Sequence, residues 1–259
     1  MSHHEGQRVD YDQVADRYDV DHLRSKQVDS DLLDFLTARG KCGETCAVLD
    51  VGCGTGNQLV ANQAHVPGAR LVGLDLFHGM LCQARAKSAR IAWVQGDGAR
   101  LPLSDASFDY VTNQFSFHHV RAKEAMLREV FRVLRPAGRF VMTNIAPREM
   151  PGWAVYRIFP AAWERDLDDF MPVAEIESLL RQAGFAQMDV ESERADLEQD
   201  LGSFVQDVRL RVVSQSALLS EADYQAGRQR LETELREADG RAVSIPSELC
   251  LCKIVADKE

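Results

Sequence analysis

Val48-Leu49-Asp50-Val51-Gly52-Cys53-Gly54-Thr55-Gly56 is the stretch that decides how this chain is read. An apolar run carrying one acid predicts a buried strand, three alternate glycines predict a tight turn, and a helix opens at Gly56-Asn57. Glycines in such a turn let backbone come very close to a ligand, because no Cβ stands in the way. The stretch therefore points to a nucleotide-like cofactor and leaves open which one.

The alternation continues outward from this point. Strands are predicted at Ala47–Val51, Ala69–Asp75, Ile91–Gln95, Phe108–Asn113 and Arg139–Asn144. Between them, helices are predicted at Asn57–His65, His78–Ala89 and Arg121–Leu134, with a turn at Arg135-Pro136-Ala137-Gly138. Strands separated by helices at this spacing imply βαβ units, a parallel sheet and a ligand beyond the C-terminal strand ends. Later come a helix over Val173–Ala183 closed by Gly184, a sixth strand over Gln187–Glu193 and a last strand over Leu249–Ala256. The fold class is α/β: a doubly wound, mostly parallel, seven-stranded sheet in one domain with helical insertions.

Around the cofactor core, residues 41–145, the remaining segments elaborate this domain. Residues 1–40 form a helical lead-in, with helix expected over 8–39. Residues 146–172 hold four prolines and the aromatic Trp153, Tyr156, Phe159, Trp163 and Phe170, which suggests an irregular cap over a pocket. Residues 196–240 are polar and helical, with Leu201, Phe204, Val208, Val212 and Val213 on one face and a capping box opening at Ser220.

With 259 residues, 45% of them hydrophobic and 27% charged, the composition is that of an ordinary globular chain. The formal net charge of −10 argues against general affinity for nucleic acid or anionic lipid, so neither is expected as a partner. No apolar run is long enough to span a membrane, and the N-terminal sequence lacks signal-peptide order. A cytoplasmic location with reduced thiols is expected for the six cysteines. Cys42-x-x-x-Cys46 and Cys250-x-Cys252 fit no zinc spacing well, and no metal is expected.

Two cofactors compete for the glycine turn. A dinucleotide prefers the G-x-G-x-x-G spacing and brings a pyrophosphate to the helix N-terminus. Here the spacing is Gly52-x-Gly54-x-Gly56, and Asp50 stands two residues before it. That carboxylate opposes a pyrophosphate and suits a ligand with an ammonium and a sulfonium, such as S-adenosylmethionine. Asp75, closing the second strand, can accept from ribose hydroxyls with either cofactor. Asp97, in Gly96-Asp97-Gly98 after the third strand, can accept from an adenine amino group. Each acid alone reads equally well as a loop residue or helix cap; three at successive strand ends form an acidic rim.

These residues belong to a wider pattern: Gly96-Asp97-Gly98-Ala99-Arg100-Leu101-Pro102-Leu103, Phe108-Asp109-Tyr110-Val111, His118-His119-Val120 and the run Glu129 to Arg139. Tyr11-Asp12-x-x-Ala15-x-x-Tyr18-Asp19 leads into it. Over residues 9–145 the chain resembles class I S-adenosylmethionine-dependent methyltransferases, of the branch typified by ubiquinone/menaquinone-biosynthesis C-methyltransferases. The resemblance implies that Gly52, Gly54 and Gly56 line the methionine and ribose portion. It implies that Asp75 holds the ribose, that Leu76 and Met80 lie near the adenine or ribose, and that Asp97 and Gly98 contact the adenine. It further implies that Asn113 contributes backbone beside the methyl group and that Tyr18 covers the cofactor.

The chemistry follows from a sulfonium that is already electrophilic, so the protein must mainly exclude water and align a nucleophile. A base is needed only for a protonated, weakly acidic acceptor. His118 is the candidate, although packing under the sheet edge or starting the next helix is the better explanation of the His118-His119 pair. The expected function is methyl transfer to a small organic molecule, with a regulatory cofactor-binding protein or a macromolecule-directed methyltransferase as alternatives. Arg209 and Arg211 are read as a solvated helix face.

Overall fold

The computed structural model describes residues 9–20, 25–40, 46–211, 214–239 and 241–259. Two compact units are distinguished. One comprises Asp10–Asn144, Pro172–Glu191 and Cys252–Glu259; the other is built mainly from Ile145–Met171 and Ser192–Leu251.

The first unit carries five strands and one end of each of the last two in a single sheet. Its seven strands are β1 (Ala47–Val51), β2 (Arg70–Asp75), β3 (Ala92–Gln95), β4 (Phe108–Gln114), β5 (Leu134–Ile145), β6 (Gln187–Asp200) and β7 (Ser244–Asp257). They lie in the order β3-β2-β1-β4-β5-β7-β6. The pairings of β1 with β2 and β4, of β2 with β3 and of β4 with β5 are all parallel. The order reverses between β1 and β4, which places the ligand crevice of a doubly wound sheet at the ends of these strands.

The helices of this unit are α1 (Ser30–Ala38), α2 (Asn57–Gln63), α3 (His78–Lys87), α4 (Lys123–Val133) and, further on, α7 (Val173–Ala183). Leu32, Phe35 and Leu36 of α1 and Leu59 of α2 pack on Val48 of β1, Tyr110 of β4 and Val141 of β5. Each such side chain taken fully from water contributes about 1.5–3 kcal/mol, and this cluster seats the first strand and its glycine turn. Gly184 ends α7 at φ 117, and a Cβ there would meet the Phe131 ring at 2.7 Å.

The lead-in departs from expectation. The described part of residues 8–39 is not one helix but two 3-10 turns, Tyr11–Gln13 and Tyr18–Val20, followed by α1. Asp10 and Asp29 explain the breaks: each accepts a backbone N–H, from Asp12 and Leu32, and so starts a new helical segment. The turn expected at Arg135–Gly138 is absorbed into β5 as an irregularity, where the β4 register shifts between Phe108 and Tyr110 and Ala137 takes φ 59.

The second unit is helical: α5 (Ala154–Ile158), α6 (Pro160–Asp169), α8 (Leu201–Leu210), α9 (Ser214–Ala217) and α10 (Glu221–Ala238). The expected irregular segment 146–172 is thus largely helical. Pro160 sits in the first turn of α6, where its missing N–H costs nothing. Tyr156, Ile158, Phe159, Phe204, Val208, Tyr224 and Leu231 form this unit's core. The Ser220 cap is present, its Oγ accepting from Asp223 N at 3.1 Å. β6 runs on to Asp200, so 196–200 is strand rather than helix. Val212 and Val213 of the expected apolar face, and Cys42, lie outside the described residues.

Candidate active site

The glycine turn is built by the strands beneath it. Leu74 O of β2 accepts from Gly52 N at 2.7 Å and Cys53 N at 3.0 Å, which curls the chain away from β1. Gly52, Gly54 and Gly56 take φ of 77, 54 and 78, a region open to glycine and strained for other residues. Their missing side chains serve different ends. A Cβ on Gly52 would lie 2.2 Å from Ser116 Oγ, and one on Gly56 2.3 Å from the Trp93 ring, whereas one on Gly54 would enter open space. At Gly52 and Gly56 the missing side chain permits protein packing, and at Gly54 it leaves open space.

Asp50 is buried at the end of β1, with Oδ1 without a hydrogen-bond partner among the described residues. Burial pushes its pKa up to about 7; Lys26 opposes the shift, and the charges of Asp75 and Asp29 add to it. A buried carboxyl oxygen with no donor is costly unless a ligand supplies one.

Asp75 has a structural duty that sequence reasoning missed. Its Oδ2 accepts from Gly54 N at 2.7 Å and its Oδ1 from Phe77 N at 2.9 Å, so it ties the glycine turn to the start of α3. Leu76 beside it is exposed. Asp97 is exposed and accepts from Ala99 N at 2.9 Å, fixing the turn after β3. Gly98 follows, with a Cβ position only 3.0 Å from Val51 Cγ1. Asn113 is fully buried: Nδ2 donates to Val51 O at 2.7 Å and contacts Ser116 Oγ at 2.5 Å, while Oδ1 lacks a partner among the described residues. It locks the end of β4 to the end of β1 through its side chain.

The lead-in closes one side of this site. Tyr18, Tyr11 and Phe77 pack around buried Val14, Ala15 and Met80. Two expected site residues, Tyr18 and Met80, thus meet in one cluster, with Met80 shut beneath the lead-in rather than facing outward. Asp12 Oδ1 accepts from Gly79 N at 2.5 Å. Asp19 accepts from Thr55 Oγ1 at 2.7 Å and Asn57 Nδ2 at 2.9 Å, and pairs with Lys87 at 2.6 Å. The repeated Tyr-Asp of the lead-in was the visible signal for these latches; their partners, 36 to 68 residues away in sequence, were not.

After β4, Tyr11 Oη lies 2.9 Å from His119 Nε2. His118 stacks on His119 with ring centroids 3.8 Å apart, and its Nδ1 lies 3.3 Å from Asn144 Nδ2. Burial, with His119 and Lys123 nearby, drives the His118 imidazole well below the usual histidine range, so it is uncharged at neutral pH.

The donor set fits S-adenosylmethionine better than a dinucleotide. A buried acid with an orphaned oxygen stands where a pyrophosphate would have to lie, and that oxygen needs a cationic donor. Residues 49–142 match the methyltransferase domain family. Over these residues the chain is similar to the class I S-adenosylmethionine-dependent methyltransferases. It is 36% identical over 139 residues to a demethylmenaquinone methyltransferase of Deinococcus radiodurans, covering 52% of this chain and 58% of that one. It is 29% identical over 208 residues to the ubiquinone/menaquinone biosynthesis C-methyltransferase UbiE of Paracoccus denitrificans, covering 69% and 82%. The chain thus spans little more than half the length of the Deinococcus relative.

The methyltransferase fold is shared with solved structures of low sequence identity. A protein of Anabaena variabilis from an antibiotic biosynthesis pathway superimposes with a TM-score of 0.65 at 22% identity, over 86% of this chain and 96% of that one. Phosphoethanolamine N-methyltransferase 2 of Haemonchus contortus does so at 0.60 and 19%, over 97% and 58%. No helix among the described residues is long and apolar enough to cross a membrane.

Proposed function

We propose that this chain is a class I methyltransferase that transfers the sulfonium methyl of S-adenosylmethionine to a small organic molecule. The observation that carries the reading is the orphaned, buried Asp50 Oδ1 beside the left-handed glycine turn. When bound, the cofactor supplies an electrophilic methyl group. Asp50 receives its ammonium, Gly54 leaves room for its sugar, and Asp75 holds the turn while offering carboxylate to the ribose. Leu76, Asp97 and Gly98 take the adenine side, and Gly52, Gly56 and Asn113 keep the turn and the end of β4 in register. Tyr18 and Met80 act from the lead-in side, excluding water.

His118 is the candidate catalytic side chain. Its Nδ1 faces the Asn144 amide nitrogen, so the neutral imidazole carries its proton on Nε2 and can donate a hydrogen bond to an acceptor oxygen. The segments 146–172 and 196–240 are proposed to recognise the acceptor. The two named relatives are a demethylmenaquinone methyltransferase and a ubiquinone/menaquinone biosynthesis C-methyltransferase, which makes a hydroquinone-type ring the first acceptor class to try. The negative charge speaks against nucleic acid as substrate.

The test is calorimetry with S-adenosylhomocysteine followed by methyl-labelled cofactor over a panel of phenolic and hydroquinone acceptors and small amines. Binding of order micromolar and label in a small product is the expected result. NAD binding in place of S-adenosylhomocysteine would refute the reading, and tight cofactor binding with no methyl transfer to any acceptor would favour a regulatory role.

A further inference from the structure

The end of the sheet opposite the glycine turn carries a cleft of about 300 Å³, a size at the lower bound of small-molecule sites. It is lined by the C-terminal end of α1, the start of β5 and the end of β7. The two strands run antiparallel here: Lys258 N donates to Gly138 O at 2.9 Å, and Ala146 N to Cys250 O at 2.9 Å. Phe35 of α1 supplies the apolar floor. Ala137, held at φ 59 in the β5 irregularity, supplies part of the wall.

Three cations reach this cleft, and only one of them is neutralised. Arg139 donates through Nε and a terminal nitrogen to the two Asp257 carboxylate oxygens, both at 2.8 Å. Arg39 lies over the Phe35 ring, 4.3 Å from its centroid, and its guanidinium makes no ion pair or hydrogen bond among the described residues. Lys258 Nζ donates to Phe131 O at 2.6 Å and Leu134 O at 2.8 Å, carbonyls that leave its charge uncancelled. Burial pushes this ammonium below the usual lysine range. Glu259 stands at the rim and forms an ion pair with neither cation. The chain has 40 acidic residues against 30 lysines and arginines, so acids are not scarce. Two uncancelled cations in one cleft mark a place where a bound anion is favoured.

We infer that this cleft binds a small aromatic carboxylate, whose anion meets Arg39 and Lys258 and whose ring lies against Phe35 and Ala137. A planar guanidinium matches a carboxylate with two parallel N–H donors, and Arg39 has all of its donors unspent. Lys258 keeps one N–H beyond the two given to carbonyls. The apolar floor and wall add a preference for a ligand with a hydrocarbon body over a bare anion. The cleft lies at the strand ends remote from Gly52, Gly54 and Gly56, so the inference stands whichever cofactor the glycine turn receives.

The test is a nuclear magnetic resonance titration of the isotope-labelled protein with benzoate at fixed ionic strength. Saturable shifts in the amide signals of Ala38, Arg39 and Lys258 are expected, with a Kd of millimolar order or tighter. They should be the same with and without S-adenosylhomocysteine. Benzyl alcohol and inorganic phosphate each carry half of the required chemistry and should bind at least about tenfold more weakly. Arg39→Met keeps an apolar stem over Phe35; it should weaken benzoate about tenfold and leave benzyl alcohol within about twofold, and Arg39→Lys should recover part of the loss. The inference is overturned if no saturable shift appears at these residues or if Arg39→Met binds benzoate unchanged. Benzyl alcohol equal to benzoate would reduce the cleft to an apolar hollow, and phosphate equal to benzoate would reduce it to a charged patch; either overturns the assignment. Competition by S-adenosylhomocysteine would place benzoate in the cofactor crevice and overturn it as well.

Discussion

The Tyr11 hydroxyl and His119 Nε2, 108 residues apart in the chain, lie 2.9 Å from one another and join the lead-in to the segment that follows β4. Tyr11→Phe keeps the ring contacts with Tyr18, Phe77 and His119 and removes only this bond. A single net hydrogen bond is worth about 0.5–1.5 kcal/mol, so local opening of residues 11–20 should rise roughly threefold to tenfold. Amide hydrogen exchange reads this directly; unchanged exchange would mean that the latches at Asp12 and Asp19 hold the lead-in without it.

Asp50 makes both stability and binding depend on pH. Its carboxyl titrates at about 7 in the fold against an ordinary 3.8, chiefly because it is buried. The folded protein therefore holds an extra proton between these values, and the stability of the unliganded protein falls as pH rises through that window. A bound ammonium favours the carboxylate. Below pH 7 binding then expels a proton, and affinity climbs by up to about tenfold per pH unit before levelling off. Calorimetry at pH 6 in two buffers of different ionisation enthalpy should show up to about one proton released in the wild type and none in Asp50→Asn.

Asp75 should matter before any ligand arrives. Asp75→Ala strips the acceptors from Gly54 N and Phe77 N and leaves these N–H groups to find water. A loss of about 2–3 kcal/mol in urea unfolding of the unliganded protein is expected, with Asp75→Asn intermediate. An unaltered midpoint would show that the turn stands without this carboxylate and that Asp75 serves the ligand alone.

Gly227 of α10 lies against Phe159, and a Cβ there would stand 2.0 Å from the ring. Gly227→Ala gains about 1 kcal/mol of helix propensity but must displace a fully buried ring, which costs about 1–3 kcal/mol. The second unit should melt roughly 2–6 °C lower. A rise in melting temperature would mean that the Phe159 ring can turn aside.

Legibility followed the range of the forces involved. β1, its glycine turn and β2 were readable because a run of apolar residues ending in glycines has few other uses. The cap at Ser220 and the stop at Gly184 were readable because each acts within four residues. The break of the lead-in at Asp29 was not, since Leu32, Leu33, Phe35 and Leu36 show a helical face whichever residue begins the helix. β6 beyond Glu193 was missed because Arg194–Asp200 is polar and mostly exposed, so no face of it reads as buried. The helices of 154–169 were hidden by prolines and aromatic residues, whose burial in the second unit's core outweighs their local preference.

In the site, the acids and glycines were legible as residues and only partly as roles. The sequence by itself determined the α/β order, the glycine turn after β1 and the acids at three successive strand ends, because these depend on periodicity and on chemistry carried by single residues. Only the tertiary structure decided that a side chain on Gly52 or Gly56 would strike Ser116 or Trp93, that Asp75 also braces the turn, and that Tyr11, Asp19 and Lys26 close on partners far along the chain. Those outcomes depend on distances between side chains brought together by packing, and such distances have no local signature in the order of residues.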